Sequence, residues 1–391
     1  MRIRAAVDVW YTNIGKPVMM LVRYAVTSLI LTCIVPFANA IAHSNTMKIE
    51  TKSLGETPDG QPVTQYTLTN SHGHSLSVMN WGATLMDVNV PDRDGKRANV
   101  NLAFDSLQPY LKGHPYFGST VGRFCNRIGE GKFTIDGKEY QVTINHGEHH
   151  LHGGKTNFTY QYWTGESYQG EDRIGVRFHL TSPDGQEGFP GTVEATVDYS
   201  WNDNNELTIG FTATTDAPTH INLTNHSYWN LGGFGSGTIR DHVAVIEADQ
   251  WLDVDQDLIP TGKLNDVEGT PLDFRQPINL GARIDQLSAT KGYDHCYVVR
   301  GESGDQRLAA RVVDPDSGRV LEIETTQPGV QLYTANHLPG NENSAGHGRH
   351  EAFCLETQHY PNAPNRATFP STLLRPGTKL HEVTVHRFLT E

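Results

Sequence analysis

The 391-residue sequence predicts a large all-β domain of mostly antiparallel strands, a sandwich or a barrel. Three observations predict it. Apolar and polar residues alternate with period two along most of the chain, as in strands with one buried face. Turn formers punctuate these runs: the 38 glycines and 20 prolines are enough to close one turn after another. Helical periodicity is rare, so little is available to form the crossovers of a βαβ sheet.

The elements follow in chain order. Residues 105–112 (DSLQPYLK) carry one of two short helical patterns, worth a turn or two. Residues 132–144 (KFTIDGKEYQVTI) hold two alternating runs joined by Asp136-Gly137, a strong hairpin signal. The run 175–182 alternates and is closed by Pro183-Asp184-Gly185. Residues 192–201, 206–215 and 242–249 alternate in the same way, and 281–288 (GARIDQLS) carries the second helical pattern. Three more strands are expected at 319–326, 329–336 and 382–389. No repeat, low-complexity tract or linker interrupts the series, so residues 41–391 read as one domain.

Residues 1–40 read differently. They carry a net charge of +3, then an apolar stretch from Ala25 to Ala40 that ends in Ala38-Asn39-Ala40. A basic start, an apolar run and an A-x-A ending describe a cleaved secretory signal peptide. A transmembrane anchor is the competing reading, but the run is short for a span and contains Pro36. Met19 or Met20 is an alternative start. The expected mature protein is periplasmic or secreted, with no stable membrane association.

The whole chain has a formal net charge of −13, and the mature part −16, so long-range electrostatics disfavour nucleic acid. Hydrophobic residues make up 37 % of the chain, ample for a core without bridges. Four cysteines occur: Cys33, Cys125, Cys296 and Cys354. Three survive cleavage, too few and too widely spaced for a disulfide framework or a zinc pattern. They lie in polar motifs, which suggests that they line or back one cavity; the reading preferred for each taken singly is a small buried hydrophobe. No GxGxxG, P-loop or G-x-S-x-G is present, which removes support for nucleotide binding and serine-hydrolase chemistry.

Five polar segments carry the candidate chemistry. In 353–358 (FCLETQ), a strand would place Cys354, Glu356 and Gln358 on one face and Phe353, Leu355 and Thr357 on the other. A carboxylate among apolar neighbours is a candidate base; a structural carboxylate paired with an Arg is the alternative. His226, in 223–231 (LTNHSYWNL), is a candidate general acid near neutral pH. Arg127 beside Asn126 offers donors and an acceptor suited to vicinal hydroxyls; a structural partner for a buried acid is the alternative for Arg127. Asp294, in 292–295 (GYDH), could accept two hydroxyls or cap its own turn. His146, His149, His150 and His152 form a dense cluster in NHGEHHLHGG. Their spacing is not that of a zinc helix, and on a strand His149 and His150 would point oppositely. No metal is expected there.

The order and spacing of these motifs resemble the aldose 1-epimerases (galactose mutarotases) across roughly residues 47–390. NWGATL (80–85), YFGSTVGRFCNRI (116–128), SPDGQEGFPG (182–191), GVQLYT (329–334) and FPSTLLRPG (369–377) add to the likeness. The resemblance implies a large antiparallel β-sandwich, a sugar cleft on one face and no cofactor. It implies Glu356 as proton acceptor, His226 as proton donor and His152 as a second active-site histidine. It implies that Asn126, Arg127, Asp294 and Gln331 hold the sugar, with Ser227 and Tyr228 beside His226. The implied reaction interconverts the anomers of a free aldose such as galactose or glucose. An ionised Glu356 would take the C1-hydroxyl proton and a protonated His226 would give one to the ring oxygen, from opposite sides. A glycoside hydrolase using Asp294 and Glu356, and a sugar-binding module without catalysis, are the competing readings. Oligomeric state and the roles of His146, His149 and His150 stay open.

Overall fold

A computed structural model describes residues 46–391, and the segment read as a signal peptide lies outside the described residues. The described chain is built around one nine-stranded sheet and two five-stranded sheets. Every named strand pair in them is antiparallel. The nine-stranded sheet has at its centre Val193–Asn202, Glu206–Thr215, Leu380–Thr390 and Arg319–Thr325. The first five-stranded sheet is a meander from Lys48–Glu56 to Arg97–Asn99. The second runs Pro260–Asp266, Ala248–Val254, Asp294–Val299, Gly329–Tyr333, Cys354–Gln358.

Period-two alternation explains how these sheets stack. Val197, Tyr199, Ile209, Phe211 and Ile323 of the nine-stranded sheet are buried in one cluster. Leu76, Val78 and Leu85 of the first five-stranded sheet join it, as do Tyr297, Val330, Leu332 and Leu355 of the second. One contiguous core thus lies between the sheets, which is the expected sandwich.

The hairpin at Asp136-Gly137 forms between Lys132–Ile135 and Lys138–Gln141. The first helical pattern yields Leu107–Lys112 and the second two short turns, Leu280–Ala282 and Ile284–Gln286. One expected strand divides. Val243–Ile246 belongs to the nine-stranded sheet and Ala248–Val254 to the second five-stranded sheet, so the chain changes sheets at Glu247. Alternation alone cannot show this, because the pattern of burial continues through the crossing.

The last strand of the second five-stranded sheet positions the chemistry. Leu355 faces the core, and Thr357 meets Thr384 of the nine-stranded sheet, Oγ1 to Oγ1, at 2.7 Å. Cys354, Glu356 and Gln358 therefore point to the opposite face. Register places Gln331 beside Glu356, and Tyr333 beside both Cys354 and Asp294.

Candidate active site

Loops from distant parts of the chain cover that outer face. They enclose a cavity of about 200 Å³ lined by Tyr116, Asn126, Arg127, His152, His226, Tyr228, Asp294, Tyr333 and Glu356, with His146 and His337 among its walls. This is smaller than the roughly 300–1,000 Å³ of drug-sized ligand sites, which limits the occupant to about one ring.

His226 Nε2 lies 3.5 Å from Glu356 Oε1, and both residues are buried. The two groups stand side by side in the cavity wall. That placement suits two oxygens borne by one carbon. Burial also acts on the proton affinities of the pair. Desolvation, with the Asp294 charge adding to it, holds the Glu356 carboxyl well above the usual range. Desolvation pulls His226 down to about 4, against a hydrogen bond to its own backbone and the charge of Asp294. Burial therefore favours the proton on the carboxyl and a neutral imidazole. The pair still holds one exchangeable proton between its two sites, so it titrates as a unit.

The rest of the site is braced. Gln331 Nε2 donates to Asp294 Oδ1 at 2.6 Å, and Arg127 Nη2 lies 3.7 Å from Asp294 Oδ2. Gln331 thus stands behind Asp294, in contact with it. Asn126 Oδ1 accepts from the Arg127 backbone N–H at 2.9 Å and from Arg127 Nη1 at 3.3 Å. His152 Nδ1 accepts from the Asn126 backbone N–H at 3.1 Å, so the neutral ring carries its proton on Nε2. Tyr116, Asn126 and His152 all have positive φ, at 64°, 61° and 50°. Non-glycine residues in that region cluster where function fixes a side chain. The loop after His152 turns at Gly153, where φ is 83° and a Cβ would come 1.9 Å from the Gly122 carbonyl oxygen.

Two expected placements differ. The Ser227 hydroxyl donates to Asn225 Oδ1 at 2.5 Å and does not line the cavity, so its part is in shaping the loop. The histidine cluster disperses. His146 and His152 reach the cavity. His149 Nδ1 accepts from the Glu130 N–H at 3.0 Å, while its Nε2 lies 3.7 Å from Asp257. His150 turns inward, with Nδ1 2.8 Å from the Thr143 carbonyl and its ring edge-on to Phe189. The three cysteines do back the site: Cys354 Sγ is 3.6 Å from His226 Nδ1, and Cys125 Sγ is 3.5 Å from Gln358 Oε1. Cys296, opposite Gln331 in the ladder, is buried and free like the others.

Tyr116, Tyr333 and His337 are the site residues that sequence reasoning missed. Tyr333 had a signal, since it shares a strand face with Gln331. Tyr116 and His337 sit in loops, where no periodicity says which way a side chain points.

The chain is similar to known proteins over most of its length. The family model for aldose 1-epimerase matches residues 64–387. Galactose mutarotase of Bos taurus is 43 % identical over 338 residues, which cover 86 % of this chain and 97 % of that protein. Aldose 1-epimerase of Escherichia coli is 35 % identical over 349 residues, 88 % of this chain and 99 % of that one. Among solved structures, galactose 1-epimerase from Lactobacillus acidophilus aligns with a TM-score of 0.79 at 27 % identity, covering 88 % of this chain and 99 % of its own.

Proposed function

The chain belongs to the aldose 1-epimerase family and interconverts the α and β anomers of free aldohexoses such as galactose and glucose, and from that premise we propose that Glu356 and His226 carry the proton transfers. The observation that supports this assignment is their adjacency, 3.5 Å apart and buried at the wall of a one-ring cavity. Anomerisation removes a proton from the C1 hydroxyl and adds one to the ring oxygen, so the ring opens. Rotation about C1–C2 and closure from the other face give the other anomer. Glu356 is the base when it is ionised. A raised carboxyl affinity makes it a stronger base once the proton has moved to His226. His226 is the acid, and closure returns each proton.

Holding the sugar falls to Asn126, Arg127, His152, Asp294 and Gln331. Three buried polar atoms here have no partner within the protein: Arg127 Nε, Gln331 Oε1 and Glu356 Oε2. Buried polar atoms left open in this way favour a ligand rich in hydroxyls. Tyr228 adds an aromatic wall beside His226. A glycoside hydrolase or a non-catalytic module gains no support, since neither uses a buried carboxyl–imidazole pair of this kind. Polarimetry of freshly dissolved α-galactose, with Glu356→Gln as control, tests the assignment: turnover within a few-fold of wild type in that variant would overturn it.

Export is proposed on the strength of residues 1–40 alone, with a soluble mature protein beginning near Ile41. N-terminal sequencing of fractionated native protein tests it. An intact Met1 or Met19 terminus in the cytoplasm would refute it.

A further inference from the structure

Cys354 has no role in the reading above, yet its thiol is packed behind the proposed acid. Sγ is fully buried and lies 3.6 Å from His226 Nδ1, on the ring edge away from Nε2. Two tyrosine rings fix the imidazole plane. Tyr228 stacks at 4.9 Å and 15°, and Tyr116 at 5.7 Å and 18°. Stacking does not fix everything. A half-turn about Cβ–Cγ keeps the ring in its plane but exchanges Nε2 for Cε1 at the side facing Glu356, and the ring would then present no proton there. Either tautomer also fits the same plane.

We propose that Cys354 is a positioning residue for His226: its sulfur accepts from Nδ1–H and so fixes both the flip and the tautomer, leaving Nε2 open beside Glu356 to take the carboxyl proton and pass it to the substrate. This rests on the reading of His226 as the acid. A thiol suits the place because it donates weakly and accepts weakly. To a neutral ring the sulfur offers a lone pair, which keeps the ring proton on Nδ1 and leaves Nε2 bare beside the Glu356 carboxyl. When Nε2 takes the carboxyl proton, the imidazolium keeps the same Nδ1–H···S bond. The buried ring edge keeps a partner in both halves of the cycle, where an apolar side chain would leave it orphaned. Burial, with the charges of Glu356 and Asp294, holds the thiol well above its usual range, so it stays S–H and does not compete as a base.

The other groups around His226 leave the effect readable. Tyr333 and His152 meet it at 6.4 and 5.4 Å. Burial raises Tyr116, Tyr228 and Tyr333, and lowers His152 as well as the nearby His114, the latter to about 3. Asp294 acts on His226 through its charge. The pH profile of turnover then belongs mainly to the His226–Glu356 pair.

The test compares Cys354→Ala with Cys354→Ser. Alanine should lower kcat about tenfold, the order of effect seen for partners behind a working histidine, with KM little changed. It should also move the acid limb of the pH profile, and serine should restore both. Long-range proton–nitrogen spectra of the labelled protein should show the neutral His226 ring protonated on Nδ1 in wild type and Cys354→Ser, and mixed in Cys354→Ala. Wild-type kcat, limb and tautomer in Cys354→Ala would overturn the proposal. If the alanine protein is too unstable to assay, the serine protein decides: wild-type kcat with a scrambled tautomer overturns it, and wild-type kcat with the Nδ1 proton supports it. His226→Asn in the same assay separates the two claims, because an active asparagine variant removes the premise whatever Cys354 does.

Discussion

Two histidine-bearing regions of this molecule invite opposite first impressions. Residues 146–152 pack four histidines into seven positions; His226 stands alone in its segment. The dense cluster comes apart in three dimensions. His149 faces Asp257, His150 faces Thr143 and Phe189, and only His146 and His152 reach the cavity. The solitary His226 meets a carboxylate at one ring nitrogen and a thiol at the other, between tyrosines. Among the described residues, the metal-capable side chains whose donor atoms lie within 4.8 Å of one another are His226, Cys354 and Glu356. Density along the chain is therefore a poor guide to convergence. A hairpin sends neighbouring side chains to different sides, whereas a sheet face and a loop bring distant ones together.

The largest effect expected from this contrast is at the solitary histidine and its partner. His226→Asn and Glu356→Gln should each reduce turnover about 10²–10⁴-fold while changing sugar affinity much less. Steady-state polarimetry over a range of galactose concentrations measures both. The wild-type profile should be bell-shaped. Its acid limb lies near 4, where His226 gains a second exchangeable proton for the pair, and its alkaline limb lies at the raised affinity of Glu356. A profile flat through the acid range would break the contrast.

His152 is the member of the cluster expected to matter next. Its Nε2–H points away from the Asn126 bond, and its loss should cost roughly tenfold in kcat/KM, mainly through KM. A His152→Ala enzyme with unchanged KM would move it out of the site.

The same contrast shows what can be read from a sequence here. Glu356 stood out because a carboxylate interrupts an apolar strand, and period two placed Cys354 and Gln358 on its face. Gln331 fits the face next to it by register. The sandwich followed from alternation, but the meander from Lys48–Glu56 to Arg97–Asn99 and the strands Thr164–Gln169, Pro260–Asp266 and Arg307–Val313 were not assigned, and the change of sheet at Glu247 also escaped it. What could not be read depends on loops and on desolvation. Tyr116 reaches His226 through a left-handed backbone position, and Ser227 turns to Asn225 although its neighbours line the cavity. The shifts in proton affinity at Glu356 and His226 come from burial contributed by segments more than a hundred residues apart. Composition has no term for that.

His150 should affect stability and not catalysis. Its ring is buried against Phe189 and donates to the Thr143 carbonyl, so His150→Ala should destabilise by about 1–3 kcal/mol with kcat unchanged. Its pH dependence has a definite sign. Burial lowers His150 from 6.5 to about 4, so between those values the unfolded chain binds the proton more tightly than the native one. The stability present above 6.5 then falls as pH drops towards 4, and His150→Ala should lose less over that window. Melting temperatures of both proteins at pH 7 and pH 5 check it; equal losses would show that His150 is not the buried neutral group described.

The smallest effect is expected from metal removal, and it bears directly on the cluster. A tetrahedral zinc site needs its donors to converge on one point at about 2.0–2.3 Å. His150 spends Nδ1 on Thr143 and His149 spends Nδ1 on the Glu130 N–H, so these two rings are already committed in different directions. At His226 the thiol and the carboxylate meet different ring nitrogens, which orients the ring more readily than it gathers both around one ion. Dialysis against EDTA should therefore leave anomerisation within error of the untreated enzyme. His149→Ala removes the acceptor of the Glu130 N–H and should cost about 1 kcal/mol of stability, with anomerisation unchanged. Stoichiometric zinc in purified protein, lost together with activity on chelation and restored by zinc alone, would show that the histidines converge after all. The lesson drawn from the two regions would then be reversed.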